Sequence, residues 1–130
     1  MTKTFTIEGN NIHDIPTFYG ELNRIFMVHE DWKLGASLDA LNDLLYGGFG
    51  ELKGNEPVTI IWKDFKQNRQ ALGIELTKVY YQEKLKSPEI FNTQFIQEKL
   101  TELERGEGQT YFEIILEIIA DHPNITLIPE

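Results

Sequence analysis

The segment Pro57-Val58-Thr59-Ile60-Ile61-Trp62 constrains this chain most. It has strand length and is mostly apolar, with no polar face. A strand apolar on both sides belongs in a parallel sheet covered on both faces. Parallel strands need crossover connections, and helical patterns surround this run. Thr4 to Glu8 alternates and predicts a first strand, followed by turn chemistry at Gly9-Asn10-Asn11. Asp14 is placed to cap a helix from Ile15 to Phe26, with Pro16 in its first turn and Phe18, Leu22, Ile25 and Phe26 at helical spacing. A loop from Met27 to Ala36 leads to Ser37, the predicted cap of a second helix running to Leu45. Gly47, Gly48, Gly50 and Gly54 mark a further loop. Lys63 to Leu72 reads as helix, with Phe65 and Leu72 as core contacts. Gln109 to Asp121 is strongly amphipathic, Pro123-Asn124 is a break, and Ile125 to Ile128 predicts the last strand. Strands separated by helices favour right-handed crossovers and a parallel α/β sheet.

The stretch from 73 to 107 reads as helical, within a single domain spanning 1–130. One or two helices are expected there, over Ile74 to Leu85 and Asn92 to Arg105. Ser87 and Pro88 suggest a helix start, and Gly106 a stop. Phe95, Ile96, Lys99, Leu100 and Leu103 fall on one helical face. Apolar faces of this spacing usually pack inward; the functional alternative is a wider binding surface or a dimer contact.

Length and composition exclude several classes. With 130 residues the chain suits one core. It has no cysteine, so disulfides, Cys-based zinc and a thiol nucleophile are excluded. MTKTFTIEGNN is no signal peptide, and no apolar run approaches a membrane span, so a cytoplasmic location is expected. The net charge of −9 repels nucleic-acid phosphates and anionic membranes and attracts a basic partner.

Where the acids sit matters more than their number. On the second predicted helix Leu38, Leu41, Leu44 and Leu45 gather on one side, and Asp39, Asn42, Asp43 and Tyr46 on the other. Asp39 and Asp43 are helical neighbours and repel one another slightly. Asp39 is explained as an acid in the first turn, where the helix dipole favours it; Asp43 is not. On the last helix Glu113, Glu117 and Asp121 form a narrow acidic stripe beside a wide apolar arc, and Asp121 lies at the unfavourable end of the dipole. For this second stripe a plain solvated face is the alternative reading.

The segment LGASLDALNDLLYGG resembles the central helix and flanking loop of the barstar family, intracellular inhibitors of a secreted bacterial ribonuclease. The shared pattern is a glycine, a small polar cap and L-D-A-L-x-D, met here by Gly35, Ser37, Leu38, Asp39, Ala40, Leu41 and Asp43. PVTIIWKDFKQNRQAL and ADHPNITLI resemble the family's second strand with third helix, and its closing helix-to-strand turn. The resemblance implies a barstar-like three-stranded parallel sheet packed with helices, here with one or two inserted helices. It also implies a basic ribonuclease or ribonuclease toxin domain as partner, with no cofactor, no metal, no direct nucleic acid and no membrane. The implied contact residues are Trp32, Lys33, Leu34, Gly35, Asp39, Asn42, Asp43, Tyr46, Phe49, Glu117 and Asp121. Three positions depart from the family pattern. Asn42 stands where an aromatic is common between the two acids. A later aromatic falls at Gly48, next to Phe49, and the loop aromatic aligns with Lys33, next to Trp32.

Other chemistries fit less well. Carboxylates on adjacent turns of one helix flank a substrate bond poorly. No phosphate loop, HExxH or GxSxG is present, and His13, His29 and His122 have no partner pattern. The acids lack the spacing of a calcium loop. An interaction module of the same fold with a non-nuclease partner is the main rival, because fold does not fix function.

Overall fold

The structure, a computed structural model, describes residues 2–130. Three parallel strands, β1 (Lys3–Ile7), β2 (Val58–Trp62) and β3 (Ile125–Pro129), pair in the order β1-β2-β3. Six helices connect them: α1 (Ile15–Phe26), α2 (Leu38–Leu45), α3 (Phe65–Ala71), α4 (Ile74–Leu85), α5 (Thr93–Glu104) and α6 (Tyr111–Ala120). The Gly9–Asn11 turn is one turn of 3-10 helix.

The register aligns Phe5, Ile60 and Leu127 in one row and Ile7, Trp62 and Pro129 in another. Val58, Ile60, Trp62 and Ile7 are buried, so this face carries the core. The opposite face was expected to be covered as well. It is not: Thr4, Thr126 and Ile128 are exposed and Thr59 and Ile61 only half-buried. The apolar Ile61 is sheltered by neighbouring strands rather than sealed under a helix layer. β2 alternates in burial accordingly, and strand composition overstated its coverage.

α1 begins where the sequence places it. The Asp14 carboxylate accepts from the Thr17 N–H at 3.0 Å, and the Thr17 hydroxyl accepts in return from the Asp14 N–H at 3.0 Å. The Thr17 hydroxyl, donating to the carboxylate at 2.7 Å, and then the Thr17 N–H hold the Asp14 carboxyl below its usual pKa. Glu21 on α1 is a buried acid. Burial alone would raise its pKa, but bonds from Arg24, the Glu8 N–H and Asn11 outweigh that and hold it low. The strand before it runs one residue earlier than expected, and Glu8 leaves the sheet to reach this carboxylate.

α3 is shorter than its predicted Lys63–Leu72 span. Asp64 adopts a left-handed conformation at φ 56°, which ends β2 sharply and delays the helix. Asn68 is buried. Its Oδ1 accepts from Trp62 Nε1 at 2.6 Å, and its Nδ2 donates to the Gly9 carbonyl at 2.9 Å. A Cβ at Gly9 would lie 2.1 Å from the Lys63 carbonyl oxygen, so only glycine fits this junction.

The two expected helices between 73 and 107 form a hairpin. α4 joins the main core through Leu76, Tyr80 and the buried Thr77. Tyr80 meets the Tyr111 ring edge-on at 5.0 Å, and the Tyr111 hydroxyl bonds that of Tyr19 at 2.7 Å. α5 instead packs on α4 around a small core of its own, formed by Tyr81, Ile96, Leu100 and Leu103. Ser87 and Pro88 do not start a helix; they sit in a turn closed by bonds from Ile90 and Phe91 to the Ser87 carbonyl. Asn92 is the cap, its Oδ1 accepting from the Phe95 N–H at 3.1 Å. Phe95 is likewise not part of the buried face, being 52% exposed. The inward arc is Ile96, Leu100 and Leu103, and Phe95 flanks it. Gly106 does end the helix, with a positive φ of 75°. No helix among the described residues is long and apolar enough to cross a membrane.

Candidate functional site

α2 is built to present one face. Ser37 is extended, and its Oγ accepts from the Ala40 N–H at 3.1 Å, starting the helix. Leu41, Leu44 and Leu45 are buried, which fixes the helix rotation. Asp39, Asp43 and Tyr46 therefore stand out in solvent. Among the described residues neither carboxylate joins a salt bridge. Two exposed acids one turn apart are a local source of negative potential on a rigid support.

Asn42 lies between them and was expected to face a partner. Its carboxamide is turned to α6 instead, bonding His122 Nε2 at 2.8 Å. His122 is buried, and a buried imidazole must find a polar partner. Tyr46 packs edge-on against the same ring, 4.7 Å between centroids. His122 thus ties the end of α2 to the end of α6. The sequence carried a signal for this: His122 follows Ile119 by three residues and continues the buried arc.

The loops on either side of α2 are fastened to each other. Trp32, 44% exposed, packs on Phe49 with 4.8 Å between centroids. The Gly50 N–H donates to the Glu30 carboxylate at 3.2 Å, and the Glu51 N–H to the Phe26 carbonyl at 2.8 Å. Gly50 has φ 73°, and a Cβ there would stand 2.7 Å from that carbonyl oxygen. Lys33 and Gly35 are exposed. Leu34 is not available as an expected contact, because its side chain is buried in the core. Its N–H donates to Asn23 Oδ1 at 2.8 Å, which pins the loop. An open cleft of about 590 Å³ lies beside this loop, between Trp32, Lys33 and the α1 residues Gly20, Asn23 and Arg24.

α6 carries the second set of acids. Thr110 and Glu113 cap it reciprocally, and Tyr111, Phe112, Ile115 and Ile119 are buried. Glu113, Glu117 and Asp121 are exposed along one edge. Glu117 accepts from Gln109 Nε2 at 2.5 Å. A groove of about 220 Å³ separates this edge from α5, with Phe95 and Lys99 on the far wall. Phe95 and Lys99 reach this edge only through the packing of α5, and no sequence pattern announced it. Among the described residues no three His, Asp or Glu side chains cluster as a metal site.

A family model described as Barstar (barnase inhibitor) matches residues 2–81, from β1 into α4. The chain belongs to the barstar family. The three-stranded parallel sheet with its packed helices agrees with that fold. In barstar terms the matched segment includes all of α2 with both its flanking loops, while α5, α6 and β3 lie beyond it. No match is found among curated proteins.

Proposed function

We propose that this barstar-family chain is a non-enzymatic inhibitor of a basic ribonuclease or ribonuclease toxin, acting in the cytoplasm, and that α2 is the element that enters the enzyme's site. The observation that carries the proposal is the pair of exposed carboxylates, Asp39 and Asp43, on a helix locked to the core by Leu41, Leu44 and Leu45. A ribonuclease binds a polyanion, so its site is lined with cations. Arginine receives a carboxylate through the same bidentate geometry as a phosphate. A helix that is already rigid loses little entropy on docking. Tyr46 at the end of the same helix, and Trp32 with Phe49 on the flanking loops, supply apolar contact area. Lys33 and Gly35 lie on the same loop, and Glu117 and Asp121 add charge at the far edge. The net charge of −9 speeds encounter with a basic enzyme.

The test is RNA cleavage by a barnase-like ribonuclease titrated with this protein at low and high salt. Stoichiometric, salt-sensitive inhibition is expected. Asp39→Ala or Asp43→Ala is expected to weaken it by about 2–5 kcal/mol without changing the fold, the cost of truncating one partner of a desolvated charge pair. Full inhibition by both variants overturns the role of α2. Failure of the unaltered protein to inhibit leaves a different cognate toxin or the second reading, a barstar-fold module with a non-nuclease partner, and a pull-down from the native host separates the two. Lys33 and Asn42, where the family pattern has aromatics, bear on which nuclease is the target.

A further inference from the structure

We propose that His122 is a proton-operated counter-ion of the acidic face, so that a proton on its imidazole and a basic partner on α2 compete for the same negative field. The inference rests on the inhibitor reading for the identity of the partner but not for the behaviour of the histidine.

His122 stands at the joint of the two acidic edges. It is 5% exposed, and its Nε2 lies 2.8 Å from Oδ1 of Asn42, which comes between Asp39 and Asp43 on α2. Its ring meets Tyr46 edge-on at 4.7 Å, and its N–H donates to the Ile119 carbonyl at 3.1 Å. Both α2 and α6 therefore end beside it. The charged groups around it belong to three elements. α2 brings Asp39 and Asp43, and α6 brings Glu117 and its C-cap Asp121. The glycine loop brings Lys53 and Glu56, on either side of the Gly54 and Asn55 that share a groove with His122. Glu56 is matched by Lys3 at 3.5 Å, whereas the acids on the two helices join no salt bridge among the described residues.

Histidine is the side chain whose charge changes between pH 5 and 8. Burial opposes a charge at this joint, while Asp121 and the negative C-terminal ends of two helices favour one. With Asn42 Oδ1 as acceptor, Nε2 carries its hydrogen in the neutral and the charged ring alike. A second proton, on Nδ1, therefore adds charge without breaking the bond between α2 and α6. What changes is the field. A buried positive charge beside the carboxylates is little screened by salt, and it cancels part of the potential that draws a cationic partner. At about 10 Å an imidazolium weakens the hold on one cation roughly two- to fifteenfold, for effective dielectric constants from about 80 down to about 20. By linkage, a docked cation drives the proton off by the same factor. Binding is therefore strongest at neutral and higher pH and falls as His122 takes its proton. A glutamine here would keep a donor for Asn42 and lose the dependence on pH.

The test is an NMR titration of the full chain from pH 8 to pH 5.5, alone and with an N-acetylated hexa-arginine amide, a probe with no group that titrates in that range. The His122→Gln variant is run beside it. In the unaltered protein the Asp43, Tyr46 and Asp121 amides are expected to shift in step with the His122 ring signals. The probe's Kd, read at the same amides, is expected to rise about two- to fifteenfold from pH 8 to pH 5.5. In His122→Gln both effects are expected to vanish while His13 and His29 still titrate. Amides that ignore the His122 ring, a Kd equal at both pH values, or no capture of the probe at pH 8 would each overturn the proposal. These are read on the unaltered protein and stand even if the variant unfolds. A pH dependence that survives whole in a folded His122→Gln overturns it as well. No ribonuclease enters the experiment. A pH-independent face in a protein that still inhibits RNA cleavage refutes this inference only; a proton-sensitive face in a protein that inhibits no ribonuclease refutes the function only.

Discussion

Thr77→Val removes a single hydroxyl and tests how the α4–α5 hairpin holds the helix that carries Glu117 and Asp121. Thr77 is fully buried. Its Oγ1 accepts from the Tyr111 N–H at 2.8 Å and donates to the Gly73 carbonyl at 2.7 Å. Tyr111 is the first residue of α6, so its N–H is one of the donors that a helix cannot satisfy internally. Thr77 supplies the missing acceptor from another element. Valine has nearly the same shape and opens no cavity. The Gly73 carbonyl keeps the Thr77 N–H as a partner at 3.0 Å, so only the Tyr111 donor is orphaned. Leaving one buried donor unsatisfied costs about 1–3 kcal/mol. With a urea slope of about 2 kcal/mol/M, a loss of 2 kcal/mol moves the unfolding midpoint down by about 1 M. Circular dichroism in urea reads the midpoint, and amide hydrogen exchange reads Tyr111 itself, which should exchange faster in the variant. An unchanged midpoint together with unchanged protection at Tyr111 would refute the claim that the hairpin caps α6.

Two further outcomes are expected. Ser37→Ala should cost about 1 kcal/mol through loss of the α2 cap, visible in urea titration, with a frayed first turn lowering the helix signal around Asp39. Glu21→Gln should destabilise the fold near neutrality, because the ionised carboxylate serves Arg24, Glu8 and Asn11 at once. The folded pKa of Glu21 is depressed below 4.5, so its contribution is present above that pH and is lost as pH falls through the folded value. The gap between the original and variant proteins should therefore close in urea titrations run from neutral pH to about pH 3; a gap that is the same throughout would show that the charge is irrelevant.

The elements legible in the sequence were those whose signals are local. α1 was readable to the residue because Asp14, Pro16 and an apolar stripe agree. α2 was readable because Ser37 and four leucines agree. The exposure of Asp39 and Asp43 followed from helical periodicity alone. What escaped depended on distant partners. Asn42 sits on the boundary of the exposed arc, and its turn inward depends on His122, eighty residues later. The burial of Leu34 depends on Asn23 pinning its backbone, which no loop pattern announces. Ser87-Pro88 carries a helix-start signature, but Asn92 offered a cap directly before the stretch that buries Ile96 and Leu100. Phe95 was misplaced because α5 packs on one helix only. A narrow contact buries a narrow arc, and hydrophobicity at its margin does not say which residues fall inside.

The sheet register also sets an order of events. β1 pairs with β2 across more than fifty residues, as Lys3 with Val58, and β2 with β3 across more than sixty, as Val58 with Ile125. No two strands can meet as a local hairpin, so the sheet has high contact order and is slow to form. During synthesis α1 and α2 leave the ribosome long before β3, yet the packing that fixes α2 includes Ile115 and Ile119 of α6, and His122 is the residue that ties its far end. A ribosome-bound chain that has not yet released residue 122 would therefore carry the sequence of the acidic helix without its fixed orientation. Competence for a partner would arrive late and all at once, with the emergence of His122 rather than with helix formation.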